Sequence, residues 1–338
     1  MIGRSNTMRA IVTTVPFGAI DPAPLKILAE AGIETVVNPL GRRLRSEEVG
    51  DVIAGFDIVI AGTETITASA LASAATVKAI CRVGIGLDGV DLLAARRQGI
   101  AVSYTPDGPS PAVAELAVGL TLDLLRGVGR ADRGLRAGSW IRHNGRRLSQ
   151  STVGIVGCGR IGSRVIGHLL GGFPGVRILA HDILAPMAFA GSDQVEWVNF
   201  PELLARADIV SLHVPLTPKT RGLIGAAELG AMRPDAVLVN TARGGLVDEA
   251  ALAAALQAGR IAGAAVDVFE EEPYAGPLTL CETAILTCHM GSMTRDCRLR
   301  MELEAAEEAV RFARGEPFRT PVPESEYVIA ADRLVSAQ

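Results

Sequence analysis

The chain has 338 residues, room for about two domains of roughly 100 to 200 residues each. Apolar residues make up 49% and charged residues 21%, the balance of a packed rather than a disordered chain; with 37 glycines and only 13 aromatics, its core must be built from Ala, Val, Leu and Ile. A net charge of -4 argues against broad electrostatic capture of nucleic acid or an anionic membrane.

Short apolar runs alternate with helical spacing along most of the chain. Ala10–Thr14, Thr35–Val37, Ile58–Ala61, Val77–Arg82 and Ala101–Tyr104 are expected strands. Pro24–Ala31, Thr67–Ala75 and Val90–Gln98 are expected helices, with Gly32 and Gly99 as stops. Such β-α alternation predicts a parallel sheet covered by helices on both faces. Ser103–Pro111, rich in Pro and Gly, is a plausible crossing into a second domain, and a single long helix is expected from about Ala112 to Arg136. A second series follows, with strands at Thr152–Val156, Val176–Ala180, Ile209–His213, Ala236–Asn240, Gly263–Val268 and Ala284–Thr287, and an Ala-rich helix at Ala250–Ala258. The charged helix expected over Thr294–Arg314 continues no sheet and is free to cover the first domain.

No uncharged apolar stretch reaches the eighteen or so residues of a membrane helix. The longest, Ile66 to Val77, stops at Lys78, and the N-terminal MIGRSNTMRAIVTT has no signal-peptide segment. Cys81, Cys158, Cys281, Cys288 and Cys297 are odd in number and form no C-x-x-C pair. They are expected to be small buried hydrophobes in a reducing cytoplasm, with no metal site.

The most informative stretch is Val153-Gly-Ile-Val-Gly157-Cys-Gly159-Arg160-Ile161-Gly162, an apolar strand running into G-x-G-x-x-G and at once into a helix. The three glycines serve a tight turn, close approach of backbone to a pyrophosphate, and close packing of helix on strand. The helix N-terminus adds unpaired N–H groups for the phosphates. The next strand ends in His181-Asp182, and Asp182 lies twenty residues past Gly162, where a carboxylate binds the adenosine ribose hydroxyls and repels a ribose phosphate. NAD is therefore expected over NADP. Arg160 suits either pyrophosphate or solvent.

A nicotinamide enzyme needs a proton-exchanging group and a substrate anchor. Candidates follow three of the later strands: Thr241-Ala242-Arg243-Gly-Gly, Asp267-Val-Phe-Glu270-Glu271-Glu272-Pro273, and Cys288-His289-Met-Gly291-Ser292. Arginine binds a carboxylate bidentately, histidine moves protons near neutrality, and a carboxylate on the imidazole orients it. His143, His168 and His181 lack such a context and are expected to be surface or satisfied residues.

Together these segments resemble the D-isomer-specific 2-hydroxyacid dehydrogenase family, nearest its phosphoglycerate dehydrogenase-like branch, from about Val77 to Arg311. Val83-Gly84-Ile85-Gly86-Leu-Asp-Gly-Val-Asp91 resembles the substrate-side loop, and Leu212-His213-Val214-Pro215-Leu-Thr217 the nicotinamide-side loop. The resemblance implies an α/β fold of two doubly wound parallel-sheet domains. A flavodoxin-like substrate domain would take residues 1–103 and 293–338, and a Rossmann NAD-binding domain residues 104–292, with the active site in the cleft between them. It implies His289 as general acid/base, Glu272 as its partner, chosen over Glu270 and Glu271 because it precedes Pro273, and Arg243 as substrate anchor. It places Gly157, Gly159, Arg160, Ile161, Gly162, Asp182, His213, Val214, Pro215, Thr220, Thr241, Ala242, Asp267, His289 and Gly291 around NAD. Gly62, Val83, Gly84, Ile85 and Arg243 would meet the substrate. It further implies a homodimer.

The chain departs from the branch where an Arg-Ser pair would follow Asp57–Ile60: here Ala61-Gly62-Thr63-Glu64 has no arginine, and Glu64 would repel a phosphate. A small 2-oxo acid is thus the expected substrate. A phosphorus-containing substrate (phosphoglycerate- or phosphite-type) and an NAD-sensing corepressor-like protein are the alternatives. The linker residues Tyr104–Ser110 are expected to help set specificity.

Overall fold

The computed structural model describes residues 7–184 and 191–336; the expected domain ends at 1–6 and 337–338 lie outside these. The chain divides into two compact units, Met1–Pro109 with Met293–Gln338, and Ser110–Ser292.

The first unit runs β1 (Arg9–Val12), α1 (Ala23–Glu30), β2 (Glu34–Val37), α2 (Ser46–Ile53), β3 (Ile58–Ala61), α3 (Ala68–Ser73), β4 (Ala79–Arg82), α4 (Leu92–Arg97) and β5 (Ala101–Ser103). Its five strands form a parallel sheet in the order β2-β1-β3-β4-β5, the flavodoxin-like arrangement. Every residue of β3 and β4 is buried, which is why these strands read as unbroken runs rather than alternating ones. Thr67 caps α3 by accepting from Ala70 N (3.2 Å), and Asp91 caps α4 by accepting from Ala94 N (2.8 Å).

The second unit opens with α5 (Ser110–Arg126) and α6 (Val128–Arg136), followed by β6 (Thr152–Val156), α7 (Arg160–Gly172), β7 (Arg177–His181), β8 (Val195–Trp197), α8 (Phe200–Arg206), β9 (Ile209–Leu212), α9 (Ala226–Ala231), β10 (Val237–Asn240), α10 (Glu249–Gln257), β11 (Gly263–Val266) and β12 (Ala284–Leu286). The single helix expected over Ala112–Arg136 is two. Gly127 takes a left-handed φ of 64°, and the Asp123 carboxylate captures the N–H of Gly129 (2.7 Å), so the backbone ladder breaks there. All seven strands are parallel, in the order β12-β11-β10-β9-β6-β7-β8. One face of the sheet buries Leu203, Leu212, Leu238 and Val266 under α8 to α10. The other buries Ile155, Val165, Ile166, Leu169 and Val239, where α5 packs on α7. The strand order reverses between β6 and β9, and open α/β sheets bind ligands outside the C-terminal ends of their strands at such a point.

The chain then returns to the first unit as α11 (Arg295–Ala313), which packs on α1, β3 and β4, and α12 (Glu324–Ser336), which packs on α4. Its tail is not wholly apart from the sheet. Val322 N donates to Val102 O (3.1 Å), and Ser103 bridges Pro321 antiparallel. The sequence pattern does not announce α12. It is held by a distant contact, with the Arg96 guanidinium 3.3 Å from the Tyr327 ring centroid and paired with Glu324 (2.6 Å). Among the described residues no helix is long and apolar enough to cross a membrane.

Candidate active site

The glycine loop is built at the end of β6. Gly157 has φ 90°, and its N–H donates to His181 O (2.8 Å); a Cβ here would come within 2.7 Å of His213 O. Gly162 is tighter, since a Cβ would lie 2.0 Å from Gly157 O, so only glycine lets α7 sit against the turn. Gly159, the N-cap of α7, has nothing within 4 Å of its missing Cβ and leaves open space beside the helix N-terminus. Arg160 begins α7 and is exposed; Ile161 beside it is half-buried. Asp182, just past β7, accepts from Cys158 N (2.8 Å) and Leu184 N (3.0 Å), which ties the carboxylate to the glycine loop itself. Burial pushes the Cys158 thiol up to about 12, as befits an inert hydrophobe.

The loop after β9 lies against this turn. The imidazole of His213 meets Ser211 Oγ at 2.9 Å through Nε2, while its buried Nδ1 has no partner. Burial pushes this group's pKa down to about 4, so the ring is neutral at physiological pH. Thr220 staples the loop by donating its hydroxyl to Pro215 O (2.7 Å) and accepting from Thr217 N (2.7 Å); Val214 is half-buried and Pro215 exposed.

The ends of β10, β11 and β12, neighbours in the sheet, carry the three candidate reacting groups. After β10, Asn240 accepts from Ala242 N (3.1 Å) and donates to Arg243 O (2.9 Å), folding residues 240–243 into a tight turn. Arg243 is partly buried, with Nη1 on Ala242 O (2.6 Å). Ala242 is buried, and the buried Thr241 Oγ1 in the same turn has no partner. After β12, the Nδ1 of His289 lies 3.0 Å from both carboxylate oxygens of Glu272, and Phe269 N donates to Glu272 Oε1 (3.2 Å). Among the described non-glycine residues His289 alone has a positive φ, 49°, a left-handed backbone that costs an ordinary residue about 1 kcal/mol or more.

Of the three consecutive glutamates, Glu272 reaches the histidine. Glu270 is exposed and pairs with Arg221 (2.5 Å), and Glu271 is exposed. Asp267 lies beneath the histidine loop, 1% exposed, rather than on its surface. It accepts from Thr287 Oγ1 (2.5 Å), Met290 N (2.9 Å) and Gly291 N (2.9 Å), and so holds both flanks of His289. Asn240, Ser211 and Thr287 were not among the sequence candidates; only their place at or just after a strand end marked them.

Two readings from the sequence change. Cys288 is exposed rather than buried, and it directly precedes His289. Glu64 is 3% exposed and turned inward, its Oε1 accepting from Gly62 N (2.9 Å) and from the Thr13 hydroxyl, so it presents no surface charge to a phosphate. The remaining histidines stay outside the constellation: His181 meets Val198 O (3.1 Å), His143 is half-buried and His168 exposed.

NAD is tested by these residues and they suit it. The turn admits no Cβ at Gly157 or Gly162, open space faces the N-terminus of α7, and two buried polar atoms, His213 Nδ1 and Thr241 Oγ1, await partners along the same sheet edge.

Residues 118–291, half of the chain, match the family model described as D-isomer specific 2-hydroxyacid dehydrogenase, NAD binding domain. The chain is 40% identical over 296 residues to a D-3-phosphoglycerate dehydrogenase of Methanocaldococcus jannaschii, with 86% of this chain and 56% of that protein covered. It is 40% identical over 264 residues to a glyoxylate reductase of Aeropyrum pernix, with 75% and 78% covered. Among solved structures, the TT0316 protein of Thermus thermophilus superimposes with a TM-score of 0.84 at 36% identity, with 94% of this chain and all of that chain covered. The chain spans about half the length of the phosphoglycerate dehydrogenases it matches.

Proposed function

The chain belongs to the D-isomer specific 2-hydroxyacid dehydrogenases, and from that premise we propose that it interconverts a small 2-oxo acid and its D-2-hydroxy acid. The observation that carries the reading is His289, held in a left-handed backbone with its Nδ1 on Glu272. Because Nδ1–H is committed to the carboxylate, the proton free to move is the one on Nε2. Arg243 anchors the substrate carboxylate through its guanidinium and polarises the neighbouring carbonyl. NADH, when bound, would supply the hydride for reduction at C2. His289 as imidazolium then delivers its Nε2 proton to the oxygen developing negative charge, and Glu272 steadies the cation until it is spent. Gly157, Gly159 and Gly162 with the start of α7 hold the pyrophosphate, and Asp182 the adenosine ribose. Asp267, Thr241, His213 and Gly291 line the nicotinamide end.

The substrate's side chain is less narrowly set. Relatives named phosphoglycerate dehydrogenase favour a phosphorylated 2-oxo acid as the second reading, and the inward turn of Glu64 removes one objection to it. The test is NADH oxidation against glyoxylate, hydroxypyruvate, pyruvate, branched, aromatic and phosphorylated 2-oxo acids, with wild type and His289→Ala. Turnover that the substitution abolishes while NADH binding persists supports the mechanism; turnover unchanged by it refutes His289 as the proton donor. A second copy of the chain covers α6 in this reading. No residue of that helix is buried, its Val128 and Leu135 are exposed, and so are Trp140 (82% exposed) and Ile141 just past its end. Sedimentation of wild type as a monomer would refute this, and Trp140→Glu should shift a dimer toward monomer.

A further inference from the structure

The loop after β4 is the one that resembles the family's substrate-side loop, and within the first unit several of its backbone N–H groups are already engaged. Val83 N donates to Ala61 O (2.8 Å), continuing the sheet. Gly84 N donates to Thr105 Oγ1 (2.8 Å), and Thr105 N donates back to Gly84 O (3.1 Å). Gly62 N is likewise taken by Glu64 (2.9 Å). The next two amides, of Ile85 and Gly86, have no acceptor among the described residues, and both residues are half-buried. Gly84 itself is constrained. Its φ is 142°, and a Cβ there would approach Arg82 Nη1 to 3.0 Å, while Arg82 Nη1 donates to Val83 O (2.8 Å). Thr105 is 1% exposed and sits two residues past β5.

We propose that Thr105 is a positioning residue for substrate binding. Its two hydrogen bonds fix the peptides on either side of the Gly84 Cα, one through Gly84 N–H and one through Gly84 O, and so aim the consecutive amides of Ile85 and Gly86 at a carboxylate. Successive N–H groups of this kind form an anion-binding concavity. The amides that grip the acid are then Ile85 and Gly86, with Gly84 a structural hinge pin whose N–H never reaches the substrate. The hydroxyl is the part a substitution can remove: a β-branched residue without it keeps the packing and the Thr105 N–H bond to Gly84 O, but leaves Gly84 N–H unpaired, so that the Val83–Gly84 peptide is held only through Val83 O by Arg82.

The inference rests on the dehydrogenase reading, and the experiment separates the two. Thr105→Val, Thr105→Ala and Thr105→Ser are compared with wild type on a 2-oxo acid the wild type reduces, with NADH affinity and thermal melting measured alongside. Thr105→Val is expected to raise KM for the 2-oxo acid about 3- to 10-fold, the worth of one lost hydrogen bond. Its kcat and NADH affinity should stay within about twofold, and Thr105→Ser should restore KM. Thr105→Ala, which adds no bulk, gives the same comparison should the Val variant fail to fold. An unchanged KM in a folded variant overturns the proposal. So does a lowered KM, which would mean the hydroxyl competes with substrate for Gly84 N–H. Silence of the wild type on every 2-oxo acid removes the dehydrogenase reading itself, and this inference with it.

Discussion

Replacing Glu272 by Gln tests the histidine pair without altering its shape. The amide retains an oxygen that accepts from His289 Nδ1–H, so the ring keeps its orientation and loses only the facing charge. The pair is separated by 3.0 Å, and its side chains are 39% and 19% exposed, so the effective dielectric lies between about 20, typical of pairs near a protein surface, and about 80 in water. Coulomb's law then gives about 1.4 to 5.5 kcal/mol for the facing charge, and because solvent screens a partly exposed pair toward the low end, the expected fall in kcat is roughly 10- to 100-fold. Single-turnover reduction of a 2-oxo acid under saturating NADH is the assay, with NADH affinity measured separately and expected to hold. Glu270→Gln is the control: that side chain is exposed and paired with Arg221, so its loss should change kcat less than about twofold. A kcat for Glu272→Gln within twofold of wild type, or an equal loss in both variants, would refute the assignment of Glu272 over its neighbours.

Asp182→Ala should weaken NADH binding by about tenfold or more and narrow the preference over NADPH, because the carboxylate holds Cys158 N of the glycine loop and is the group proposed to take the ribose; an unaltered NADH-to-NADPH affinity ratio would remove it from the cofactor site. Gly162→Ala should destabilise the fold by roughly 2 to 4 kcal/mol, since its Cβ would lie 2.0 Å from Gly157 O. Gly159→Ala should melt normally and lose NADH affinity, so equal melting of both variants would contradict the packing argument. Stability should also fall with acid. His213 is held at about 4 when folded against an ordinary value near 6.5. The unfolded chain therefore takes up a proton across that window which the folded chain refuses, so the stability is full above about pH 6.5 and is lost as pH falls toward 4, on the order of 3 kcal/mol. Melting temperatures of wild type and His213→Gln that decline in parallel between those pH values would refute it.

Much of this protein was legible from local pattern. The strand runs Ile58–Ala61 and Thr152–Val156 match to the residue and the other expected strands to within about two, because burial on both faces leaves a continuous apolar signature, whereas β8 (Val195–Trp197), a three-residue strand at the sheet edge with Glu196 exposed, carries no such run and is not expected from the sequence. The glycine loop was equally plain, since a turn that excludes Cβ atoms can be written only with glycine. The broken helix at Gly127 was missed because an isolated glycine is tolerated within helices; what decided it was Asp123 reaching Gly129. Helix α12 was missed because short helices draw their stability from packing, here on α4.

The remaining decisions were tertiary. Three consecutive glutamates offer the same chemistry to any local reading, and only the return of the chain through β12 brings His289 to Glu272 rather than to Glu270. Glu64 looked like a surface charge until β1 placed the Thr13 hydroxyl on it, 51 residues away in sequence. Asp267 is bound by donors more than twenty residues downstream, at Met290 and Gly291, and Gly84 by Thr105. Periodicity and turn chemistry act through neighbours along the chain and are written there. The partner of a polar group is whichever donor or acceptor the fold delivers within about 3 Å, a distance that sequence separation does not encode.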